Sequence, residues 1–220
     1  MRRRRNIQLK GKPHVRAAQR TVTSVPSKQV QDRAREQKMA SVTGVFATLK
    51  KSKQHVRKVQ LGAGSNCPED WINLDVAGSN ELDIVQDLRE PLPFPDNSIE
   101  EFYSHHVLEH FTVPELSALM REIRRCLKPG GLFTSRLPDF EHIVKQLIVT
   151  LPGERYDILM GHVYGRQCYG ATPLPEHWHR YGWTATSMRR QLEKCGFIVL
   201  ECHSIGSSEI LPCIDLKAIK

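Results

Sequence analysis

The chain has 220 residues and a net charge of +8, enough length for one α/β domain with an additional segment. No apolar run approaches the roughly 20 residues that span a bilayer, so the sequence predicts no membrane span and a cytoplasmic protein. Its six cysteines form no C-x-x-C pair, which disfavours a disulfide framework or a zinc ribbon.

The positive charge is concentrated at the N-terminus. Residues 1–58 contain 17 Lys and Arg against 2 Asp and Glu, a net charge of +15, whereas residues 59–220 contain 15 against 22, a net charge of −7. Residues 1–27 are predicted to be a disordered basic leader. Its acid-free composition also fits an organelle-targeting peptide, if the source is eukaryotic, or an anchor for phosphate-bearing partners. Nucleic acid is therefore expected to bind only through this leader.

The elements that follow alternate in type. Residues 28–55 have apolar side chains at roughly helical spacing and are predicted to be an N-terminal helical segment. Strand and helix signals then alternate, the order typical of a parallel sheet with helices on both faces. The first four strands are predicted over residues 56–61, 71–76, 83–86 and 99–104.

The second half of the domain begins with a capping box. Thr112-x-x-Glu115 starts a helix that Gly130 is expected to end. Residues 138–183 are rich in aromatic residues and histidine, and we expect this insertion to cover the site as a lid. The other predicted elements are a strand over residues 131–137, a helix that starts at Thr184, and two closing strands over residues 197–203 and 211–217.

Two glycines separated by one residue follow the first predicted strand. Gly62 and Gly64 are expected to turn the backbone sharply and to leave room for a ligand. Asp75 and Asp87 close the next two predicted strands. Only nine residues, 62–70, separate the first two strands, whereas a parallel crossover ordinarily needs about 12. The first crossover helix is therefore expected to be cut to about one turn.

Six segments in this order resemble the class I S-adenosylmethionine-dependent methyltransferases, in particular the small branch associated with polysaccharide and glycosyl transfer. The segments are Val-Gln-Leu-Gly-Ala-Gly-Ser (59–65), Trp-Ile-Asn-Leu-Asp (71–75), Asp87-Leu88, Pro-Leu-Pro-Phe-Pro-Asp-Asn-Ser (91–98), His-Val-Leu-Glu-His-Phe (106–111) and Leu-Lys-Pro-Gly-Gly (127–131). The resemblance implies an α/β methyltransferase domain over residues 56–220. It also implies a doubly wound, mostly parallel, seven-stranded Rossmann-like sheet with an antiparallel last strand, and S-adenosyl-L-methionine as cofactor.

The resemblance also implies a set of cofactor-binding residues. Asp75 would accept both ribose hydroxyls, Asp87 would accept from the adenine amino group, and Leu88 would pack on the ring. A surface turn acid remains the alternative for Asp75, and an ion pair with Arg89 the alternative for Asp87. The full set is Leu61, Gly62, Ala63, Gly64, Asp75, Asp87, Leu88 and His105.

The predicted catalytic residues are His106 and His179, because histidine titrates in the range needed to remove a hydroxyl proton. Ser104, His105 and His106 are expected to face the transferred methyl group. Glu109 is interpreted as a carboxylate at a helix start. His177 and His179 would face one side of an extended segment and would suit a metal. No acidic residue stands near them at ligand spacing, so no metal is predicted. A hydrogen bond that holds the lid closed is the alternative role for each histidine.

The function predicted from these residues is O-methylation of a sugar, glycan precursor or small metabolite. One alternative is a non-catalytic protein that keeps the S-adenosylmethionine-binding fold and is tethered by its basic tail. Another is an NAD-dependent oxidoreductase, which is disfavoured because Cys67 stands where the third glycine of G-x-G-x-x-G belongs. The sequence predicts no particular oligomeric state.

Overall fold

The computed structural model describes residues 45–76, 81–165, 177–206 and 211–220. The predicted leader, residues 1–27, and residues 28–44 of the predicted helical segment lie outside these ranges. The described part of that segment forms a short helix, α1 (Val45–Thr48), and a 3₁₀ helix, Lys51–Lys53.

Seven strands form one sheet in the order β3-β2-β1-β4-β5-β7-β6. Strands β1 to β5 pair in parallel, and β7 runs antiparallel to both β5 and β6. The predicted α/β architecture, a mostly parallel seven-stranded sheet with an antiparallel last strand, is confirmed. The strands are Lys58–Leu61 (β1), Ile72–Asp75 (β2), Ile84–Val85 (β3), Ile99–His105 (β4), Leu127–Pro138 (β5), Ile198–Ile205 (β6) and Cys213–Ile219 (β7).

Four longer helices accompany the sheet: α2 (Val113–Cys126), α3 (Phe140–Val149), α4 (Glu154–Tyr164) and α5 (Ala185–Lys194). Both predicted starts are confirmed. The Glu115 carboxylate accepts the Thr112 N–H at 2.8 Å, and the Thr184 hydroxyl accepts the Ser187 N–H at 3.2 Å. In the part of the chain that the structure describes, no helix has the length and apolar character needed to cross a bilayer.

The end of α2 differs from the prediction. The helix stops at Cys126, and Leu127 already pairs with Ile99 of β4. Because Pro129 disfavours helical backbone at the residue before it, the chain becomes extended ahead of the predicted end. Gly130 does have a left-handed backbone, with φ of +74°, but it lies in an irregular stretch of β5 where the pairing with β4 shifts register.

Among the described residues, the connections between β1 and β4 lack the helices that usually join parallel strands. The first crossover, residues 62–71, contains no helix, and none occurs elsewhere among the described residues between β1 and β4. Residues that precede β1 contribute to the core instead. Leu49 is buried, and the ring of Phe46 lies 5.9 Å from that of Phe94.

A buried ion pair attaches the segment before β1 to the sheet. Lys53 Nζ donates to Asp83 Oδ2 and to the Trp71 carbonyl oxygen, each at 2.7 Å. The same Asp83 oxygen accepts the Asn73 N–H at 2.9 Å. The Lys53 and Asp83 side chains are only 8% and 1% exposed. This contact therefore links the residues before β1 to β2 and to the start of β3.

We expect Lys53→Met to lower the free energy of unfolding by about 3–5 kcal/mol, because it leaves the Asp83 carboxylate buried without its counter-charge. Urea denaturation measures this loss. Lys53→Met with Asp83→Asn should lose less, and Lys51→Met, at an exposed position, should stay within about 0.5 kcal/mol of the native chain. Equal losses at Lys51 and Lys53 would contradict the anchoring role.

Candidate functional site

The strand order reverses between β1 and β4. From β1 the chain continues to β2 on one side of the sheet, and from β4 it continues to β5 on the other. Such a reversal opens a crevice at the carboxyl ends of the two strands. Leu61 and Ser104 pair near those ends. The glycine turn after β1 and the histidines after β4 are therefore brought together.

The two glycines of this turn have different roles. Both have a left-handed backbone, with φ of +62° at Gly62 and +56° at Gly64. A Cβ on Gly62 would lie 2.3 Å from Val107 Cγ2, whereas a Cβ on Gly64 would meet no atom within 4 Å. Gly62 thus makes room for the Val107 side chain, and ligand contact at both glycines stays a prediction. Of the two glycines, only Gly64 has open space where a Cβ would stand.

Asp75 fixes the glycine turn. Its carboxylate accepts the Gly64 N–H at 2.8 Å and the Val76 N–H at 2.6 Å, one on each oxygen. Each carboxylate oxygen has a second lone pair. Asp75 can therefore hold the turn and still accept hydrogen bonds from a ligand.

Asp87 makes the ion pair that was the alternative to ligand binding. Its carboxylate accepts the Arg89 N–H at 2.9 Å and lies 3.3 Å from the Arg89 guanidinium. The Asp87 side chain is nevertheless 39% exposed, and the neighbouring Leu88 is buried. Asp87 therefore pairs with Arg89 and also borders the cavity that is described next.

A cavity of about 270 Å³, here called the aspartate cleft, lies at this edge of the sheet. Its lining includes Gly62, Gly64, Asp75, Asp87, Leu88 and Phe111. Leu61 is part of the core, and the buried Ala63 donates its N–H to the Leu74 carbonyl at 3.2 Å. Ligand contact by Leu61 and Ala63 stays a prediction.

A larger cavity of about 930 Å³, here called the histidine chamber, adjoins the aspartate cleft. Six of the chain's ten histidines line it: His105, His106, His110, His162, His177 and His179. Ile158, Gly161 and His162 belong to α4, within the predicted lid. The two cavities share Gly64, His106, His110 and His177. The two cavities are therefore neighbours with a common wall.

His106 stands at the shared wall in a strained conformation. Its φ of +54° is left-handed, which is uncommon for residues other than glycine and is found preferentially at functional sites. Its Nδ1 lies 3.0 Å from Glu109 Oε1 and donates to that carboxylate. Burial alone would lower the pKa of His106, but hydrogen bonding to Cys213 and Glu109 outweighs burial and raises the pKa to about 9.

Glu109 lies in a 3₁₀ helix, Leu108–His110, and is only 2% exposed. Burial acts to raise the pKa of its carboxyl, but the hydrogen bond from His106 and the nearby His110 ring lower it overall. Its backbone carbonyl accepts the Arg180 N–H at 2.8 Å. Its second carboxylate oxygen, Oε2, has no hydrogen-bond partner among the described residues.

His179 faces the same carboxylate from the other side. Its Nδ1 donates to the His162 carbonyl at 2.9 Å, and its Nε2 lies 3.9 Å from Glu109 Oε1. Burial lowers the pKa of His179. The fold thus brings both predicted catalytic histidines, His106 and His179, to one buried carboxylate.

His105 lines the histidine chamber and not the aspartate cleft, although it was predicted to bind the cofactor. Burial and the neighbouring His106 ring lower the pKa of His105. Ser104 was expected to face the reacting group, which is wrong. It is fully buried, and its hydroxyl donates to Ser135 Oγ of the adjacent strand at 2.8 Å.

The role of Glu109 was missed from the sequence. Its interpretation as a carboxylate at a helix start does not account for the contacts that it makes with His106 and His179. The spacing of three residues between His106 and Glu109 is one at which side chains meet on a helical turn, and it could have indicated that contact. Nothing in the spacing indicates His179.

Residues 48–135 match a protein family described as "Methyltransferase domain". The matched range contains the glycine turn, Asp75, Asp87 and the segment from His106 to Glu109. It ends before α3 and α4, so His162, His177 and His179 lie outside it.

Three individual proteins are also similar to this chain. A sterol 24-C-methyltransferase of Gibberella zeae is 44% identical over 55 residues, which is 25% of this chain and 14% of that enzyme. The structure of an S-adenosylmethionine-dependent methyltransferase from Mesorhizobium loti has a TM-score of 0.50 at 17% identity. The alignment covers 81% of this chain and 96% of the Mesorhizobium loti chain. The structure of a Pyrococcus horikoshii protein has a TM-score of 0.51 at 17% identity, and the alignment covers 88% of this chain and 92% of that protein. The solved structures show the shared fold.

We expect Gly62→Ala to destabilise the chain more than Gly64→Ala. A left-handed alanine costs about 1–2 kcal/mol at either position. The contact with Val107 adds about 1–3 kcal/mol at Gly62 alone. Urea denaturation of both variants measures the difference, and equal losses would show that the space beside Val107 is not limiting.

Proposed function

We propose that this chain, a class I S-adenosylmethionine-dependent methyltransferase, transfers the methyl group of S-adenosylmethionine to a hydroxyl of an acceptor in the histidine chamber. The observation that supports this proposal is the wall that the two cavities share at Gly64, His106, His110 and His177. A sulfonium held in the aspartate cleft would face an acceptor in the chamber across that wall.

The aspartate cleft suits S-adenosylmethionine by its chemistry. This cofactor carries a ribose diol, an adenine and an amino-acid end around a sulfonium, and it has no phosphate. The Asp75 carboxylate can accept two adjacent hydroxyls, while Leu88 and Phe111 offer apolar surface beside the adenine. We retain Leu61, Gly62, Ala63, Gly64, Asp75, Asp87, Leu88 and His105 as the proposed cofactor-binding set.

Proton removal is assigned to His106. In the reaction the acceptor oxygen bonds to the methyl carbon as the carbon–sulfur bond breaks, and the hydroxyl proton must leave. With Nδ1 held by Glu109, the neutral imidazole, which predominates above the pKa of about 9, offers Nε2 to that proton. The carboxylate that raises the pKa of His106 also stabilises the imidazolium so formed. His179 is the second proposed catalytic residue, beside the same carboxylate.

The acceptor class follows from the lining of the chamber. Six histidines offer hydrogen bonds, whereas Ile158 and Leu211 are the large apolar side chains that line it among the described residues. This lining favours a polar acceptor such as a sugar, glycan precursor or small hydroxylated metabolite. A cytoplasmic location and nucleic-acid binding by the leader stay predictions.

We expect Asp75→Asn to weaken S-adenosylmethionine binding by roughly 10- to 100-fold, because it removes the charge from hydrogen bonds to the ribose. Isothermal titration calorimetry measures this loss. Asp70→Asn, at an exposed position outside both cavities, is the matched control. Absence of heat from both S-adenosylmethionine and S-adenosylhomocysteine with the native chain would overturn the proposal, and heat from NAD alone would favour the oxidoreductase alternative.

We expect His106→Gln to lower kcat by about 10²–10⁴-fold with little change in cofactor affinity, because it removes the proton acceptor. Release of S-adenosylhomocysteine with a panel of monosaccharides, sugar nucleotides and phenols measures turnover. His55→Gln, at an exposed position outside both cavities, should leave kcat unchanged. Cofactor binding without turnover on the whole panel would favour the non-catalytic alternative.

A further inference from the structure

We propose that Glu109, His110 and His179 bind one divalent transition-metal cation, of which Zn²⁺ is the best match, in the wall of the histidine chamber. One ligand atom from each residue lies within 4.8 Å of the other two. The binding site itself does not depend on methyl transfer.

The hydrogen bonds of the two histidines fix which nitrogen is available. Nδ1 of His110 lies 3.2 Å from the Trp178 carbonyl oxygen, and Nδ1 of His179 lies 2.9 Å from that of His162. A carbonyl oxygen only accepts, so both Nδ1 atoms are the donors. In the neutral rings Nε2 then carries a lone pair, and the rings meet with their centroids 4.9 Å apart.

Glu109 adds further electron pairs to the same place. Its Oε1 lies 3.9 Å from His179 Nε2, and its Oε2 is buried without a hydrogen-bond partner among the described residues. Two imidazole lone pairs and the carboxylate therefore lie close together, and Oε2 has no partner among the described residues even though His106 donates to Oε1. A cation is the species that stabilises such an arrangement, because each of these atoms can donate an electron pair to it.

The geometry requires only a small adjustment. A tetrahedral zinc ion with bonds of about 2.0–2.1 Å places its ligand atoms about 3.4 Å apart. The three atoms lie within 4.8 Å of one another, so side-chain rotations would have to shorten each separation by at most about 1.4 Å. Zinc suits two imidazoles and one carboxylate, a set that in catalytic sites leaves one coordination position open.

The neighbouring contacts are those that support metal ligands. A histidine that binds a metal ordinarily donates its other N–H to a carbonyl or carboxylate, and a carboxylate ligand is itself hydrogen-bonded. Here the carbonyls of Trp178 and His162 hold the two histidines, and His106 donates to Glu109. The sequence predicted no metal because no acid was placed at ligand spacing from His177 and His179, and the fold brings Glu109 to His179.

The open coordination position would face the chamber that all three histidines, His106, His110 and His179, line. If the proposed function holds, the acceptor hydroxyl would occupy that position, and the cation would lower the pKa of that hydroxyl. The proton would pass to His106, the oxygen would bond to the methyl carbon, and the cofactor would leave as the neutral thioether. This use rests on the proposed function, whereas metal binding does not.

The test uses the full chain after dialysis against a chelator. Zn²⁺ binding is measured by calorimetry, and Co²⁺ is added in parallel for its visible absorption, which reports a tetrahedral site. We expect one ion per chain. Changes in outer-shell residues typically cost roughly 10- to 100-fold in metal affinity. Glu109→Gln, His110→Gln and His179→Gln, which each remove a ligand, should therefore cost about 100-fold or more.

His55→Gln is the control, because His55 is exposed and lies outside both cavities and the proposed ligand set. Its Zn²⁺ affinity should equal that of the native chain. Thermal unfolding in chelator identifies any variant that fails to fold, and the remaining variants then decide the outcome.

Binding of Zn²⁺ at less than one ion per chain, or native affinity in the folded ligand variants, would overturn the metal site. An equal loss in His55→Gln would also overturn it. Heat from S-adenosylmethionine is measured on the same samples. Cofactor binding without Zn²⁺ binding would overturn the metal site alone, and Zn²⁺ binding without cofactor binding would overturn the proposed function alone.

Discussion

The parallel pairing of β1 with β4 is the constraint on which both cavities depend. It places Leu61 beside Ser104, so the segments that leave the two strands must diverge from a common point. The glycine turn leaves β1 there, and the strained His106 leaves β4. The Asp75 carboxylate then fixes the turn through the Gly64 N–H. Small and polar groups thus meet at the sheet edge, while the adjoining strand residues stay in the core.

The two cavities are built from different parts of the chain. The aspartate cleft is lined by residues within the range that matches the methyltransferase family, apart from His177. The histidine chamber adds α4 and His179, which lie beyond that range. Glu109 connects the two parts, since its side chain holds His106 and its backbone carbonyl accepts the Arg180 N–H. The part of the chain that matches the family and the part beyond it therefore meet at one buried carboxylate.

Features that depend on strand ends could be predicted from the sequence, because the carboxyl ends of parallel strands share an edge. The positions of Gly64, Asp75 and His106 beside the cavities are of this kind. Features that depend on contacts between residues far apart in the sequence could not be predicted. Val107 filling the space at Gly62 and His179 facing Glu109 depend on how loops pack. Helix α4 was not predicted either, because its mixed polar and apolar sequence has little helical periodicity.

Because no helix occurs among the described residues between β1 and β4, residues that precede β1 help to cover the core of the domain. Phe46 and Leu49 pack on the core that crossover helices would otherwise cover, and the Arg57 guanidinium lies 4.3 Å from the centre of the Phe46 ring. A recombinant fragment cut just ahead of β1 would keep every strand but expose the apolar surface around Phe94 to water. Residues 45–57 therefore belong inside the folding unit, and its upstream limit is set by packing rather than by the first strand.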